Sequence, residues 1–210
     1  MKFDKKALTL YAVTDSAWLQ GRSLCQVTEQ AILGGVTMVQ LREKDRERCA
    51  REAQQLVPLC KAYSIPLIIN DYADIALSCG ADGVHVGQRD MEAGQVRRLM
   101  GADKIIGVSA QTVEQAKLAC QMGADYLGVG AVFPTSTKAD ADAVSLQELA
   151  DICSAVPIPV CAIGGICPDN TARLQNSGIA GIAVVSAIFG AEDITGACKQ
   201  LLKAAREASR

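Results

Sequence analysis

The sequence predicts one domain over residues 1–210, folded as a (β/α)8 TIM barrel, and three observations predict it. Short β-branched runs alternate with helix-period runs along the whole chain, the pattern of a parallel sheet with helical crossovers. Strand starts run from residue 8 to residue 181 over seven units, roughly 25 residues per unit, short but sufficient for a small barrel. Polar residues and glycines gather where strands end: Gln40, Arg42 and Lys44; Asn70 and Asp71; Gln88 and Asp90; Ser109; Thr135, Thr137 and Lys138; Gly164 and Gly165; Ser186. In an open sheet, eight strands about 4.8 Å apart would spread their ends over more than ~30 Å, too far for one small ligand. Closure sets them around a single mouth.

Each element follows from local chemistry. The first strand is LTLYAVT (8–14), and Ser23 with Gln26 forms a capping box for the helix behind it. Gly34 marks that helix's end as a left-handed residue, as Gly80, Gly101, Gly123 and Gly178 do for later ones. The second strand, MVQLR (38–42), begins as core and ends in charge, running on through Glu43, Lys44 and Asp45. Ala50, Ala53, Leu56, Val57 and Cys60 give 46–63 the apolar stripe of an amphipathic helix. The third strand, PLIIN (66–70), delivers Asn70 and Asp71, and the fourth, GVHVG (83–87), leads to Gln88 and Asp90. KIIGVSA (104–110) carries Ser109 and is followed by a capping box of Thr112 with Gln115. YLGVGAV (126–132) enters a loop, VFPTSTKADADAVS, of about a dozen residues, longer than most strand-to-helix connections. Ser145 with Glu148 then caps a helix. PVCAIG (159–164) ends in a glycine pair, and GIAVVSA (181–187) carries Ser186 late in the last strand.

Composition narrows the partners. Half of the residues are hydrophobic, and 21 basic against 23 acidic side chains leave a net charge of −2, which gives no footprint for nucleic acid or an anionic membrane. An anion must be met by a local cluster. The nine cysteines are scattered without CxxC spacing and only one histidine is present, which argues against structural zinc. They read as reduced, mostly buried thiols of a cytoplasmic protein. The N-terminal MKFDKKALTLYAV runs into Asp15 too soon for a signal peptide, and the uncharged runs 152–168 and 174–191 are interrupted by prolines or polar residues. Small phosphorylated molecules are the expected partners, and association of copies into a homo-oligomer is left open.

The chemistry lies at the mouth. Asp71 and Asp90 come from neighbouring strand ends, and Mg²⁺ takes one or two protein carboxylates alongside water and phosphate oxygens. Each could equally cap the helix after it, at 72–78 and 92–99. Arg42, Lys44 and Lys138 tip the reading towards metal: a diphosphate of roughly −3 with Mg²⁺, two carboxylates and three cations sums near zero. A second anion site is expected after strands seven and eight, at Gly164-Gly165 and Ser186, the usual phosphate position in this fold. His85 reads as a hydrogen-bonded core histidine. With no nucleophile–histidine–carboxylate set, the catalytic strategy reads as electrostatic, stabilising a departing group.

The motifs QLREK (40–44), ND (70–71), HVGQRD (85–90), GVSA (107–110), PTSTK (134–138), IGGI (163–166) and VVSAI (184–188) resemble, in order, those of the thiamine-phosphate synthase family, over residues 8–200. The resemblance implies a (β/α)8 transferase that joins hydroxymethylpyrimidine diphosphate to a thiazole phosphate by a dissociative, Mg²⁺-assisted route. By motif, Gln40, Leu41, Arg42, Glu43, Lys44, Asn70, Ser109 and Lys138 would hold the pyrimidine diphosphate, with Ser109 and Lys138 catalytic. Asp71 and Asp90 would bind Mg²⁺. Thr135, Ser136, Thr137, Gly165, Val185 and Ser186 would hold the thiazole phosphate, Val185 through its backbone. A thiazole tautomerase or regulatory paralogue, an isomerase-type phosphate barrel and a non-catalytic phosphate sensor are the competing readings. The first has little reason to keep Arg42, Lys44, Asp71, Asp90 and Lys138, and the second should show an acid–base pair.

Overall fold

The computed structural model describes residues 3–19, 21–88, 90–135 and 143–209. Eight parallel strands close on themselves in chain order: β1 (Leu10–Val13), β2 (Met38–Leu41), β3 (Leu67–Asn70), β4 (Gly83–Val86), β5 (Ile105–Ala110), β6 (Tyr126–Val129), β7 (Val160–Ile163) and β8 (Gly181–Val184), with β8 paired back onto β1. Around them lie α1 (Leu24–Leu33), α2 (Arg46–Ala62), α3 (Ala73–Cys79), α4 (Ala93–Met100), α5 (Val113–Gln121), α6 (Leu146–Ala155), α7 (Pro168–Thr171), α8 (Ser186–Phe189) and α9 (Ile194–Ala208). The barrel expected from the sequence is the barrel formed.

Alternation along each strand divides the apolar residues into two cores. Leu10, Val39, Leu41, Ile69, Val84 and Leu127 face the helices in one continuous cluster, and the α2 stripe of Cys49, Ala53, Leu56 and Cys60 packs there. Leu41 is fully buried in that layer, so its truncation to alanine should cost about 2–5 kcal/mol. Tyr11, Val13, Met38, Ile68, Tyr126, Cys161 and Ala183 form the second cluster, inside the barrel. Leu8, with Phe3 and Ala7 packed beside it, joins that inner cluster at the N-terminal end of the strands, where the Phe3 ring stacks on Tyr126 at 5.5 Å.

Several local expectations are corrected. The first strand starts at Leu10, not at 8, because Lys5–Leu8 form a 3-10 turn capped by Asp4, which accepts from the Lys6 N–H at 3.0 Å. The sixth and eighth strands stop at Val129 and Val184, so Ser186 opens α8 instead of ending a strand. Thr112 and Ser145 accept from Gln115 and Glu148 as their caps predict, but the Ser23 side chain makes no cap bond. Gly34 stays right-handed at φ −77°, and the left-handed turn falls on Gly35, φ +101°, which lets the Val36 N–H reach back to the Ala31 carbonyl. All nine cysteines are free; Cys49, Cys60, Cys161 and Cys198 are buried and the other five are half-buried, fewer fully buried than expected. Among the described residues no helix is long and apolar enough to cross a membrane.

Candidate active site

The β2 end is held on both sides. Gln40 is 4% exposed and donates from Nε2 to the Tyr11 hydroxyl at 2.6 Å. The Arg42 N–H donates to Thr14 Oγ1, and its guanidinium donates to Asp15 Oδ2 at 2.7 Å, both side chains being partly buried. Asp15 therefore orients Arg42 and adds one negative charge that the sequence-based balance did not include. Glu43 turns back into the loop: Oε1 accepts from the Asp45 N–H, and Oε2 pairs with Arg48 Nε at 3.3 Å without hydrogen-bond alignment. Asp45 caps α2 by accepting from the Arg48 N–H at 2.7 Å. Glu43 thus shapes the strand-to-helix turn, and Leu41, buried against the helices, has only its backbone to offer a ligand. Lys44 is exposed, and its ammonium makes no hydrogen bond among the described residues, while its carbonyl accepts from the Tyr72 hydroxyl at 2.7 Å.

Neither carboxylate is a helix cap. Tyr72 occupies the N-cap of α3 and Glu92 that of α4, neither with a side-chain cap bond. Asp71 instead sits at φ +64°, exposed, its N–H donating to the His85 carbonyl at 2.8 Å. Asp90 Oδ2 accepts from the Gly87 N–H at 2.7 Å. The Asp71 backbone is thus tied to β4 and Asp90 to the residue just beyond that strand, so the two aspartates lie on one stretch of the rim. Two oxygen donors suit Mg²⁺, which leaves its remaining positions to water and phosphate. Among the described residues no group of three or more His, Cys, Asp or Glu gathers as a metal cage.

Ser109, on β5, is half-buried and meets His85 Nε2 at 3.0 Å, while Gln88 donates to the Ser109 carbonyl at 2.6 Å. His85 is 8% exposed, and its Nδ1 lies 3.1 Å from the Tyr126 hydroxyl, so the expected core histidine is hydrogen-bonded on both ring nitrogens. Asn70 pairs with His85 in register, half-buried at the top of β3.

Across the mouth the construction changes. Gly164 and Gly165 have φ of +100° and +63°. A Cβ on Gly165 would lie 2.8 Å from the Phe133 carbonyl oxygen and closer still to that of Pro134, so the glycine lets the β7 turn nest under residues 133–134. Asn170, which the sequence reading missed, clamps this turn: Nδ2 donates to the Gly165 carbonyl at 2.8 Å and Oδ1 accepts from the Cys167 N–H at 2.9 Å. Its only sequence signal is its place three residues after Cys167, at the start of a short helix. Val185 and Ser186, both half-buried, are the N-cap and first residue of α8. Thr135 is half-buried beside this turn's partner loop. Ser136, Thr137 and Lys138 lie outside the described residues.

Residues 10–188 match the family profile described as thiamine monophosphate synthase. The chain is 51% identical over 195 residues to the thiamine-phosphate synthase of Clostridium tetani, covering 92% of this chain and 93% of that one. It is 52% identical over 197 residues to that of Ruminiclostridium cellulolyticum, with 93% and 94% covered. Among solved structures, the thiamine phosphate pyrophosphorylase from Pyrococcus furiosus superposes with a TM-score of 0.89 at 36% identity, covering 97% of this chain and 98% of that one.

Proposed function

The chain belongs to the thiamine monophosphate synthase family, and from that premise we propose how its mouth divides the work of the reaction. The reaction is a transfer in thiamine biosynthesis: the pyrimidine diphosphate loses diphosphate and its methylene carbon is joined to the thiazole phosphate, giving thiamine phosphate. Gln40, Arg42, Lys44, Asn70, Ser109 and Lys138 hold the pyrimidine diphosphate, with Leu41 and Glu43 supporting the loop that presents them. Thr135, Ser136, Thr137, Gly165, Val185 and Ser186 hold the thiazole phosphate. Asp71 and Asp90 would hold Mg²⁺, which when bound neutralises charge on the departing diphosphate.

What the chain itself contributes is electrostatic and positional. Arg42, fixed by Asp15, presents its remaining N–H groups to a phosphate oxygen. Ser109, held by His85, donates to the leaving group as charge builds there. The glycine turn brings backbone close to the thiazole phosphate, so the nucleophilic ring nitrogen is held facing the methylene carbon. A dissociative route fits this equipment, because what the mouth supplies is stabilisation of a leaving anion.

The observation that carries this reading is the pair of carboxylates on one stretch of rim, both excused from helix capping. The test is thiamine phosphate formation from the two phosphorylated halves, with and without Mg²⁺. Product that requires both halves and magnesium supports the assignment. Undiminished product in a chelated assay removes the metal from it. The free state of all nine cysteines supports a reducing compartment, the cytoplasm, as the place of this reaction.

A further inference from the structure

A line of hydrogen bonds crosses the barrel interior and ends at two residues of the proposed diphosphate site. Gln40 Nε2 donates to the Tyr11 hydroxyl at 2.6 Å, the Tyr11 and Tyr126 hydroxyls are 2.8 Å apart, Tyr126 is 3.1 Å from His85 Nδ1, and His85 Nε2 is 3.0 Å from Ser109 Oγ. The line joins β2, β1, β6, β4 and β5, and Tyr11 and Tyr126 are at most 2% exposed. Room for it is built into the sheet. Gly107 lies between His85 and Tyr126 in register, and a Cβ there would run into the Tyr126 hydroxyl and His85 Nδ1; a Cβ on Gly128 would sit 3.1 Å from His85 Cε1.

The protons along this line can be counted. Tyr11 accepts from Gln40; were Tyr126 to donate to it as well, the buried Tyr11 proton would have no acceptor among the described residues, so Tyr11 gives its proton to Tyr126. Tyr126 in turn gives its proton to His85 Nδ1. The imidazole proton is then on Nε2 and is donated to Ser109 Oγ, which keeps its own hydroxyl proton for the mouth. Reversal would require Gln40 to turn its carbonyl to Tyr11, and Ser109 would then give its proton to His85. Burial raises both phenols above their ordinary pKa, so both stay protonated and each supplies one proton to the count.

We propose that Tyr11, Tyr126 and His85 are positioning residues that fix the direction of donation across the barrel, so that Ser109 presents a donor, not an acceptor, to the leaving diphosphate. This rests on the reading of Ser109 as a diphosphate-site residue. It also gives the interior tyrosines and the single histidine a role beyond filling the barrel.

Because His85 is the only histidine, protein labelled with ¹⁵N-histidine gives one pair of ring-nitrogen signals, and a two-bond ¹H–¹⁵N spectrum of the unliganded full chain reads the tautomer directly. The expected result is a protonated Nε2 and a bare Nδ1; a proton on Nδ1 overturns the proposal. In Tyr126→Phe the same spectrum should show the two tautomers mixed, and kcat should fall about tenfold, the scale of one lost hydrogen bond. The KM for the thiazole phosphate should move less than about twofold, since that site does not use the line. An unchanged tautomer with wild-type kcat in this variant also overturns it. If Tyr126→Phe does not fold, the wild-type spectrum alone decides. A wild-type preparation that makes no thiamine phosphate defeats the functional reading, while a protonated Nε2 in that sample still upholds the direction of the line.

Discussion

Strands β2 to β5 end in side chains that carry charge or hydrogen-bonding groups, Gln40, Arg42, Asn70, Asp71, Asp90 and Ser109, and hydrogen bonds hold Gln40 to Tyr11, Arg42 to Asp15, Asp90 to the Gly87 N–H and Ser109 to His85. Strands β7 and β8 end in Gly164, Gly165, Val185 and Ser186, whose side chains are absent, small or, for Val185, packed against the inner cluster. The contrast suits two different anions. A metal-associated diphosphate concentrates several charges and needs fixed opposite charges around it. A singly attached phosphate can be met by backbone N–H groups, provided nothing larger than hydrogen stands between. On the proposed assignment the first half should be sensitive to charge and the second to volume.

The largest effect should follow removal of charge from the first half. Asp71→Asn or Asp90→Asn should lower the coupling rate by about 100-fold or more and flatten its magnesium dependence, read by initial rates across a magnesium titration. Asparagine tolerates the left-handed backbone of Asp71 and can still accept from Gly87 in place of Asp90, so circular dichroism should show the barrel intact. Wild-type magnesium curves in both variants would place the metal elsewhere. Next in size, Gly165→Ala adds one methyl where two carbonyl oxygens already crowd, in a left-handed conformation that costs alanine about 1–2 kcal/mol. It should raise the KM for the thiazole phosphate by about tenfold or more while barely moving that for the pyrimidine diphosphate; equal effects on both would dissolve the distinction between the halves. Ser186→Ala removes a single hydroxyl and should raise the same KM by about threefold to tenfold. The smallest effect is expected from Asp15→Asn, which keeps the cap on the Ala17 N–H but uncouples Arg42 from its charged partner. Its KM for the pyrimidine diphosphate should change by less than about threefold, and a larger loss would mean that Asp15 fixes the guanidinium's geometry more firmly than its partial exposure implies.

The first half of the mouth was legible in the sequence because charge at a strand end has few structural excuses. Arg42, Lys44, Asp71 and Asp90 stand where a helical layer gains nothing from them, and only capping competed for the two aspartates. The β1–β8 closure was legible for a similar reason, since polar residues and glycines at the ends of nearly all the strands make sense only around one rim. The second half was less so. A glycine pair does not say what lies over it, and the Asn170 clamp joins residues across a turn whose shape no spacing rule describes. Ser186 was placed in a strand because VVSA continues the β-branched run, while the chain turns into α8 at Val185. Glu43 entered the site through the family motif, and the turn it braces through the Asp45 N–H and Arg48 has no spacing signature of its own. The line through Tyr11 and Tyr126 was invisible for a deeper reason: its members are brought together by strand register, over sequence separations of 29, 115, 41 and 24 residues.

Phe3 and Leu8 carry the inner cluster down to the foot of the strands, beneath Tyr126. The barrel is therefore plugged by its own side chains, and the rim at the C-terminal ends of the strands is the face such a barrel leaves for chemistry. The two ends then answer to different demands. A substitution at the foot should be felt as a lower melting temperature, and one at the rim as lost turnover in a barrel that still melts where it did.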